Sequence, residues 1–352
     1  MIVHLGRRSG IALVAAAALA AASFALMFEV EISREYVEAR LVELSWGEGE
    51  GQIPVRISRD GTAFGLRCFC TDRTGAVYAA DWERGRVLKF DTAGQLVATI
   101  DVGRRSVGAD DMAVSPSGDI LLADNSAPEV LRIPWESAPV VIWSGKSGTR
   151  DISTVEWVRA GDQGTVYISI AALGEDGLHR RLIRVGERGN QETVASFTVT
   201  PSGESSWTGF TGRPDGPAVC FQLSRRGGFF VGQEVIASPT GNVRRYGWDG
   251  KPRAEYRVDV RTTPAVVSLL GDDLAGRLYV GLDLGTGRGE VVVCDGGDAP
   301  AARIPAPFAS KVRCSVYARV DADGTVHLAD AGVHGAAIRS LVPRRRMLIA
   351  KR

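Results

Sequence analysis

Six copies of a short glycine-turn pattern constrain the fold of this sequence more than any other feature. The clearest copy runs from Asp72 to Val102, DRTGAVYAADWERGRVLKFDTAGQLVATIDV, with Gly75 at its turn. The turn glycines of the other copies are Gly118, Gly164, Gly227, Gly276 and Gly324. The spacings are 43, 46, 63, 49 and 48 residues, and periods near these lengths are typical of propeller blades.

Each copy reads as four short antiparallel strands, because apolar stretches alternate with turns of Gly, Asp and Pro. The residue three positions after each turn glycine forms a column of mostly large side chains, which would fill the wedge between twisted sheets. The column contains Tyr78, Leu121, Tyr167, Phe230, Tyr279 and His327. We therefore predict an all-β, six-bladed propeller of four-stranded blades over residues 37–352.

The ends of the chain offer two candidates for the strand that closes the ring. The stretch ARLVEL, from Ala39, precedes the first blade and is predicted to complete the last one. The stretch RMLIAKR, from Arg346, is the competing source, as a continuation of residues 338–342, and a contribution from both stretches is a further alternative. Closure of this kind removes the exposed sheet edges of an open array.

The N-terminus indicates the compartment. A basic region, residues 1–9, precedes an uncharged run over residues 10–28, which as a helix is about 28 Å long and spans a bilayer core. A short linker is expected over residues 29–36. Arginines before the run favour export of the remainder, so we predict a single-pass membrane protein with an extracytoplasmic propeller. The run continues past two small-residue cleavage patterns, which favours an anchor over a cleaved signal peptide; cleavage would make the protein secreted.

The repeat resembles a known family. Asp72, Gly75, Val77, Tyr78 and Asp81, followed by RVLKF, are similar to the NHL repeat of six-bladed propellers. This fold hosts protein binding, RNA binding, lyase and hydrolase activities, so the resemblance implies the fold and not the function. Export and a formal net charge of only +1 argue against a nucleic-acid partner.

The enzymes nearest to this architecture are calcium-dependent lactonases of the gluconolactonase type. That resemblance implies a central Ca²⁺ held by Glu, Asn and Asp from inner strands, and oxygen ligands suit this ion. The three asparagines, Asn125, Asn190 and Asn242, fall in turns, and the Glu-Gly-Pro motif of that family does not occur. We therefore expect no cofactor and no catalytic residue, with Asp110 and Asp111 as the remaining candidates for Ca²⁺ in the alternative reading.

Loops rich in Arg and Trp are the second functional signal, because these residue types are enriched at binding hot spots. The longest loop, residues 200–216, is the most specialised. The candidate binding residues are Trp82, Arg104, Arg105, Arg150, Trp207, Arg213 and Arg288. A general use of Arg in place of Lys, in 37 of 42 basic residues, explains the same pattern without a ligand.

Other polar residues read as structural. Asp81, Asp124 and Asp330 occupy the same position of the repeat, six residues after a turn glycine. Their side chains are expected to accept hydrogen bonds from backbone N–H groups of the next turn. His327 is expected to be a packed core histidine, and the five cysteines are expected to pack mostly as small apolar side chains. The sequence thus predicts a membrane-tethered, non-enzymatic binding or scaffold module for a protein, peptide or glycan. The alternative is a metal-dependent, lactonase-like hydrolase or lyase.

Overall fold

The computed structural model describes the backbone of a set of ranges with short gaps between them. These are residues 28–57, 63–102, 108–135, 137–145, 152–200, 202, 204–209, 219–260, 265–284, 289–297, 300–306, 312–313, 317–331 and 334–351. The chain divides into two compact units, one of Met1–Val37 with Pro343–Arg352 and one of Glu38–Val342. The predicted basic region and residues 10–27 of the predicted membrane segment lie outside the described residues.

The described N-terminal part is a strand. Strand β1 (Phe28–Ser45) includes residues 29–36, where the sequence predicted a linker, so the linker is replaced by strand. In the described part of the chain, no helix has the length and apolar character needed to cross a membrane. The predicted anchor at residues 10–28 therefore stays a prediction. Two short strands follow β1, namely β2 (Arg56–Ile57) and β3 (Ala63–Phe64).

Blades one to three follow in chain order. Blade one consists of β4 (Phe69–Thr71), β5 (Val77–Asp81), β6 (Arg86–Phe90) and β7 (Leu96–Asp101). Blade two consists of β8 (Ala109–Val114), β9 (Ile120–Asp124), β10 (Glu129–Ile133) and β11 (Val140–Ser144). Blade three consists of β12 (Ile152–Ala160), β13 (Val166–Gly174), β14 (Gly177–Val185), β15 (Gln191–Val199) and β16 (Ser205–Thr208). The fifth strand, β16, pairs with the outer side of β15 and occupies part of the segment that was predicted to be a loop over residues 200–216.

Blades four to six complete the ring. Blade four consists of β17 (Val219–Leu223), β18 (Phe229–Gln233), β20 (Thr240–Tyr246) and β21 (Pro252–Asp259), with β19 (Val235–Ile236) between β18 and β20 in the chain. Blade five consists of β22 (Ala265–Asp272), β23 (Leu278–Asp283), β24 (Gly289–Cys294) and β25 (Ala302–Ala306), and β19 joins its sheet beside β22. Blade six contains β27 (Ala318–Val320), β28 (Val326–Ala331) and β29 (Gly335–Lys351), and a small separate sheet joins β2, β3 and β26 (Val312–Arg313). The predicted six-bladed propeller is confirmed.

The N-terminal strand closes the ring. From the inside outwards, the sheet of blade six runs β27, β28, β29, β1. The side chains of Val42 and Leu44 on β1 are buried in the core. Residues of the competing C-terminal stretch extend β29 instead, so both predicted segments contribute, each to its own strand.

The turn glycine has the same backbone conformation in all six blades, although the turn of blade three is displaced by one residue. There the Thr165 N–H donates to the Asp162 carbonyl at 3.1 Å, and Gln163 also has a positive φ of 53°. The six turn glycines have φ between 73° and 92°, a left-handed conformation that a side chain disfavours. In blade one the Gly75 N–H donates to the Asp72 carbonyl at 3.0 Å, and Gly324 repeats this bond to Asp321 at 3.0 Å. The distorted fourth copy, at Gly227, shares this geometry, which supports the count of six.

The predicted column of large residues is buried, each member being at most 8% exposed. The Tyr78 hydroxyl donates to Asp72 Oδ2 at 3.1 Å and the Tyr279 hydroxyl to Asp273 Oδ2 at 2.9 Å. His327 takes the same place in blade six, with Nε2 2.8 Å from Asp321 Oδ2. The histidine is therefore a packed structural residue, as predicted.

The shared aspartates also have structural roles. Asp81 and Asp124 are buried. The Arg84 and Ser126 backbone N–H groups donate to them at 3.3 and 2.9 Å, respectively, which confirms the predicted turn contacts of these two residues. The third member, Asp330, has a side chain that is 43% exposed and lies 3.4 Å from the Arg339 guanidinium. Among the cysteines, Cys70, Cys220 and Cys294 are unbonded thiols, and Cys314 lies outside the described residues.

Candidate functional site at the mouth of the central channel

The inner strand of each blade begins at one face of the ring. Because strands alternate in direction, the connection between the second and third strands of each blade lies at that same face. We call it the mouth face, and we call the opposite face, which carries the six glycine turns, the turn face. Binding residues concentrate on loops held by a rigid scaffold, and the mouth face has such loops around the channel.

Two inner strands carry an acidic residue on a β-bulge near the mouth. In blade two, Ala109 pairs with Asp124 and Asp111 with Ala123, which leaves Asp110 as the extra residue. In blade three, Val155 pairs with Ile170 and Trp157 with Ser169, which leaves Glu156 as the extra residue. A bulge turns a side chain away from the regular alternation of a strand and often does so beside a functional site.

The bulged Asp110 is paired with arginine. Arg67 Nε donates to Asp110 Oδ1 at 2.8 Å, and a second nitrogen of the same guanidinium contacts that oxygen. Asn125 Nδ2 donates to Asp110 Oδ2 at 2.9 Å, so both carboxylate oxygens are engaged. The Asn125 amide also bonds both the N–H and the carbonyl of Val155, which fixes blade two against blade three.

The bulged Glu156 belongs to a second cluster. Arg180 Nε lies 3.0 Å from Glu156 Oε1, and the Ser169 hydroxyl donates to Glu156 Oε2 at 2.7 Å. The other two nitrogens of Arg180 donate to both carboxylate oxygens of Glu234, at 3.0 and 2.9 Å. Burial raises the pKa of Glu156, although the Arg180 charge and the Ser169 hydrogen bond oppose this shift. One guanidinium thus serves two carboxylates.

Below the mouth, Asp111 bridges three blades. Its carboxylate is 1% exposed and accepts the Val158 N–H at 2.9 Å and Arg159 at 2.6 Å, both from blade three. Arg319, from the inner strand of blade six, contacts the other oxygen. Burial lowers the pKa of Arg159 to about 10, and the nearby charge of Arg319 adds to this, while Asp111 opposes it. The Arg159–Asp111–Arg319 bridge therefore crosses the channel in front of blade one.

A second set of contacts joins blades four, five and six. The Arg225 guanidinium donates to the carbonyl of Val320 at 2.5 Å and to that of Asp272 at 3.0 Å. The Asp272 carboxylate accepts the Ser224 hydroxyl at 2.8 Å and the Arg225 N–H at 2.7 Å. The interior of the ring is thus held by buried polar contacts between blades.

The donor set around Asp110 and Asp111 does not fit a calcium ion. Ca²⁺ takes six to eight oxygen ligands, whereas each of these carboxylates contacts a guanidinium that such a cation would have to displace. Among the residues that the structure describes, no three His, Cys, Asp or Glu side chains form a group suited to a metal. We derive no chemistry through a metal at this position.

The sequence-predicted binding residues are dispersed. Trp82 is only 5% exposed; its indole N–H donates to Gly65 O at 3.2 Å, and the Arg67 guanidinium lies 5.8 Å from its ring. It therefore packs beneath the Arg67–Asp110 pair instead of offering an exposed ring. Trp207 lies on the outer strand β16, half-buried opposite Phe197, and not on a loop at the channel. The remaining candidates, Arg104, Arg105, Arg150, Arg213 and Arg288, lie outside the described residues.

Sequence reasoning missed Arg67, Glu156, Arg180 and Glu234. A signal for two of them exists in the repeat, because Arg67, Asp110 and Glu156 each lie eight residues before a turn glycine. That column becomes informative only once it is known that this position faces the mouth. Arg180 and Glu234 come from a strand and a loop of different blades, so no spacing along the chain connects them.

Comparison with known proteins adds information on the fold alone. No family model matches the chain, and no curated protein matches it. Among solved structures, a member of the DUF4221 family from Bacteroides vulgatus is 12% identical with a TM-score of 0.52, over 89% of this chain and 99% of that one. Virginiamycin B lyase from Staphylococcus aureus is 12% identical with a TM-score of 0.48, over 89% and 99%. A gluconolactonase from Xanthomonas campestris is 12% identical with a TM-score of 0.48, over 88% and 99%. These are distant likenesses, in line with the distant resemblance that the repeat implied.

Proposed function

We propose that this protein is an extracytoplasmic binding or scaffold module without enzymatic activity. In this proposal residues 10–28 hold the chain at the cell membrane, and the mouth face of the propeller engages a protein, peptide or glycan. Arg104, Arg105, Arg150, Arg213 and Arg288 remain predicted contributors to that contact.

The observation that carries the proposal is the pairing of acidic residues at the channel with arginine. Asp110, Asp111 and Glu156 would be the natural metal ligands or general bases of a channel enzyme, and each one contacts a guanidinium. A carboxylate held in this way stabilises the scaffold, and a metal ion or a substrate would have to compete with the guanidinium for its oxygens. The mouth is thus better suited to recognition than to hydrolysis.

Exposed apolar residues on the mouth face support the same function. Leu173, at the tip of blade three, is 62% exposed, and Val266, at the start of the inner strand of blade five, is 50% exposed. Val235 pairs with Val266 and is also exposed. Exposed apolar side chains on a face that also carries charged residues are typical of interaction surfaces.

A calcium titration separates this proposal from the lactonase-like alternative. The melting temperature of the full chain is measured in EDTA and across a range of Ca²⁺ concentrations. An unchanged melting temperature supports the binding module. A ligand that binds only the folded state stabilises it, so a saturable rise with Ca²⁺ would favour the metal-dependent hydrolase or lyase.

Binding to peptide and glycan arrays then tests the face. We expect wild-type binding to fall in Leu173→Ser and Val266→Ser variants on the mouth face. Leu274→Ser is the matched control, because Leu274 is 69% exposed on the turn face. Loss of binding in Leu274→Ser alone would place the contact on the turn face and contradict the assignment to the mouth face. Separately, release of the full chain from membranes by alkaline carbonate would contradict the membrane anchor.

A further inference from the structure

A short loop of blade four reaches across the mouth to both neighbouring blades. We call residues 234–239, between β18 and β20, the strap. Its two-residue strand β19 pairs with Ala265 and Val266 at the start of β22. Since β22 is the innermost of the four blade strands, β19 lies on the channel side of blade five.

Glu234 fastens the strap at its start. Its carbonyl accepts the Val267 N–H of blade five at 2.8 Å. Its carboxylate receives the two-pronged contact from Arg180 of blade three, at 3.0 and 2.9 Å. One residue of blade four therefore connects blades three and five over the edge of the channel.

Arg180 forms a carboxylate-binding site beneath the strap, and in this structure the carboxylate of Glu234 occupies it. Arg180 is nearly buried and is held by Glu156, which is itself fixed by Ser169. Glu234 is the more exposed of the two carboxylates, at 38% against 23% for Glu156. A planar guanidinium fork is the preferred protein partner of a carboxylate, and the two-pronged geometry gives direction as well as energy.

We propose that the strap is a lid over a carboxylate-binding site centred on Arg180, with Glu234 as the internal carboxylate that a ligand replaces. The inference rests on the proposed function and names the ligand class of the mouth face. Exchange of one carboxylate for another leaves the charge of the site unchanged, so the exchange does not add a buried charge. The strap is held by the β19 ladder, by the Glu234–Arg180 ion pair and by the buried side chain of Ile236. The Val267 and Val260 N–H groups also donate to the Glu234 and Pro239 carbonyls at 2.8 and 2.9 Å. Exchange at Arg180 requires only the Glu234 end of the strap to release, which is a local opening and not a global unfolding.

The surroundings of Arg180 define the rest of the ligand. Arg180 pairs with Ala171 across the β13–β14 hairpin, and Leu173 lies two residues beyond Ala171 on the same face of the strand. Val235 and Val266 flank the other side, at the strap itself. A carboxylate carried on an apolar body matches this arrangement. The C-terminus of a peptide with an apolar last residue and the anion of a medium-chain fatty acid share this chemistry.

Cys220 lies beside the ion cluster that fastens the strap, since the charges of Arg180, Glu156 and Glu234 all act on the pKa of its thiol. Its thiol lies 3.6 Å from the Gly232 carbonyl and 3.7 Å from the Gln233 carbonyl, just before the strap begins. Burial raises the pKa of this thiol to about 12, so the closed state contains very little reactive thiolate. Cys220 is partly exposed in the closed state, and we expect its labelling to become faster when Glu234 leaves Arg180 and the start of the strap opens.

The first experiment measures Cys220 alkylation by iodoacetamide in the full chain, resolved by mass spectrometry. Glu234→Gln removes the ion pair and keeps the side-chain shape. A charge-assisted hydrogen bond of about 1.5–3 kcal/mol corresponds to a labelling rate at least about tenfold faster. Glu255→Gln is the matched control on the same blade, because it breaks the exposed pair with Arg244, and its Cys220 rate should equal that of the wild type. An unchanged rate in Glu234→Gln with an unchanged melting temperature would overturn the lid.

The second experiment measures binding of three probes, namely an apolar-ended peptide with a free C-terminus, the same peptide amidated, and decanoate. We expect Glu234→Gln to bind the free-carboxylate peptide about tenfold more tightly than the wild type does, because the competing internal carboxylate is gone. Arg180→Met should bind none of the three. Binding of decanoate without the free peptide identifies a small acid as the source, and the reverse identifies a peptide terminus.

The controls separate this inference from the function on which it rests. Equal binding of the free and amidated peptides contradicts the carboxylate site and leaves mouth-face binding intact. Stabilisation by Ca²⁺ contradicts the proposed function, whatever the strap does. If Glu234→Gln melts below the wild type, Ile236→Ala provides a second way to loosen the strap without changing the charge, because the Ile236 side chain is buried in the core. Slow Cys220 labelling in that variant would count against the lid as well.

Discussion

Asp111 joins inner strands of blades two, three and six. It is buried and contacts two arginines, from blades three and six, so the group of three carries a net positive charge. Such a bridge contributes little net stability compared with apolar packing, because all three charges lose water. Removal of only one member has a large effect, because the remaining charges stay buried without compensation.

Asp111→Asn should therefore destabilise the protein by about 3–5 kcal/mol, even though the amide oxygen can still accept the Val158 N–H. Arg159 and Arg319 would face each other without a carboxylate. Urea denaturation at neutral pH measures the change in the free energy of unfolding. Glu255→Gln, in an exposed pair, should cost less than about 1 kcal/mol. Equal stability of the two variants would show that Asp111 does not carry the bridge.

Asp321 should make the free energy of unfolding depend on pH in the acid range. Burial alone would raise its pKa, but hydrogen bonding and charge from His327, with a hydrogen bond from Thr71, outweigh burial and lower the pKa. A carboxyl group with a lowered pKa in the folded state stabilises the fold at pH values above its ordinary pKa, near 3.9. This contribution is lost as the pH falls from that value through the lower pKa of the folded state. The free energy of unfolding of wild type and Asp321→Asn should thus differ at pH 7 and converge towards pH 3. A difference that grows as the pH falls would contradict the assignment.

Residue roles were predictable where the repeat supplies a comparison and not where the partners come from different blades. His327 could be assigned to the core because five other copies show what its column does. Glu156 could not be assigned, because the direction of its side chain depends on a β-bulge that the residue pattern does not predict. Arg180 looked like any exposed arginine until the ring brought Glu234 to it.

At the level of elements, β1 determines whether the ring closes. Its buried residues, Val42 and Leu44, alternate with the exposed Glu43, which is the pattern of a strand with one face on the core. Its place before the first blade made the closing strand predictable, and the structure confirms it as the outer strand of blade six. The loop over residues 200–216 was less accessible to prediction, because the short strand β16 within it has no apolar run of its own.

Leu44→Ala should destabilise the propeller by about 3 kcal/mol, because it leaves a cavity between β1 and the core. Glu43→Ala is the adjacent control on the solvent side and should change the stability by no more than about 0.5 kcal/mol. Guanidinium denaturation of both variants gives the comparison. Similar midpoints for the two would mean that β1 does not seal blade six.

For the whole molecule, period and turn chemistry were enough to predict six blades, their order and their closure. The length of each inner strand was not, since β4 covers only Phe69–Thr71 and the preceding Ala63–Phe64 pairs with another sheet. The mouth face could be located from connectivity alone. The side-chain contacts at the centre of the mouth face could not be predicted, because they join residues of three inner strands that are up to 208 positions apart in the chain.

Two truncations test how far closure controls the whole propeller. The buried side chains that the structure describes run from Val42 to Ser340, so a chain of residues 38–342 keeps this core and the closing part of β1. We expect it to melt in one cooperative transition within a few degrees of the full chain, by scanning calorimetry. A chain of residues 46–342 lacks β1 and leaves β29 as an open edge, which exposes unpaired backbone groups to other chains. The free energy of unfolding of that chain should fall by several kcal/mol, because the truncation removes the buried apolar side chains of Val42 and Leu44 from the core. The chain should also aggregate on heating. If instead it melts like the longer truncation, blade six does not need its fourth strand and closure of the ring has another source.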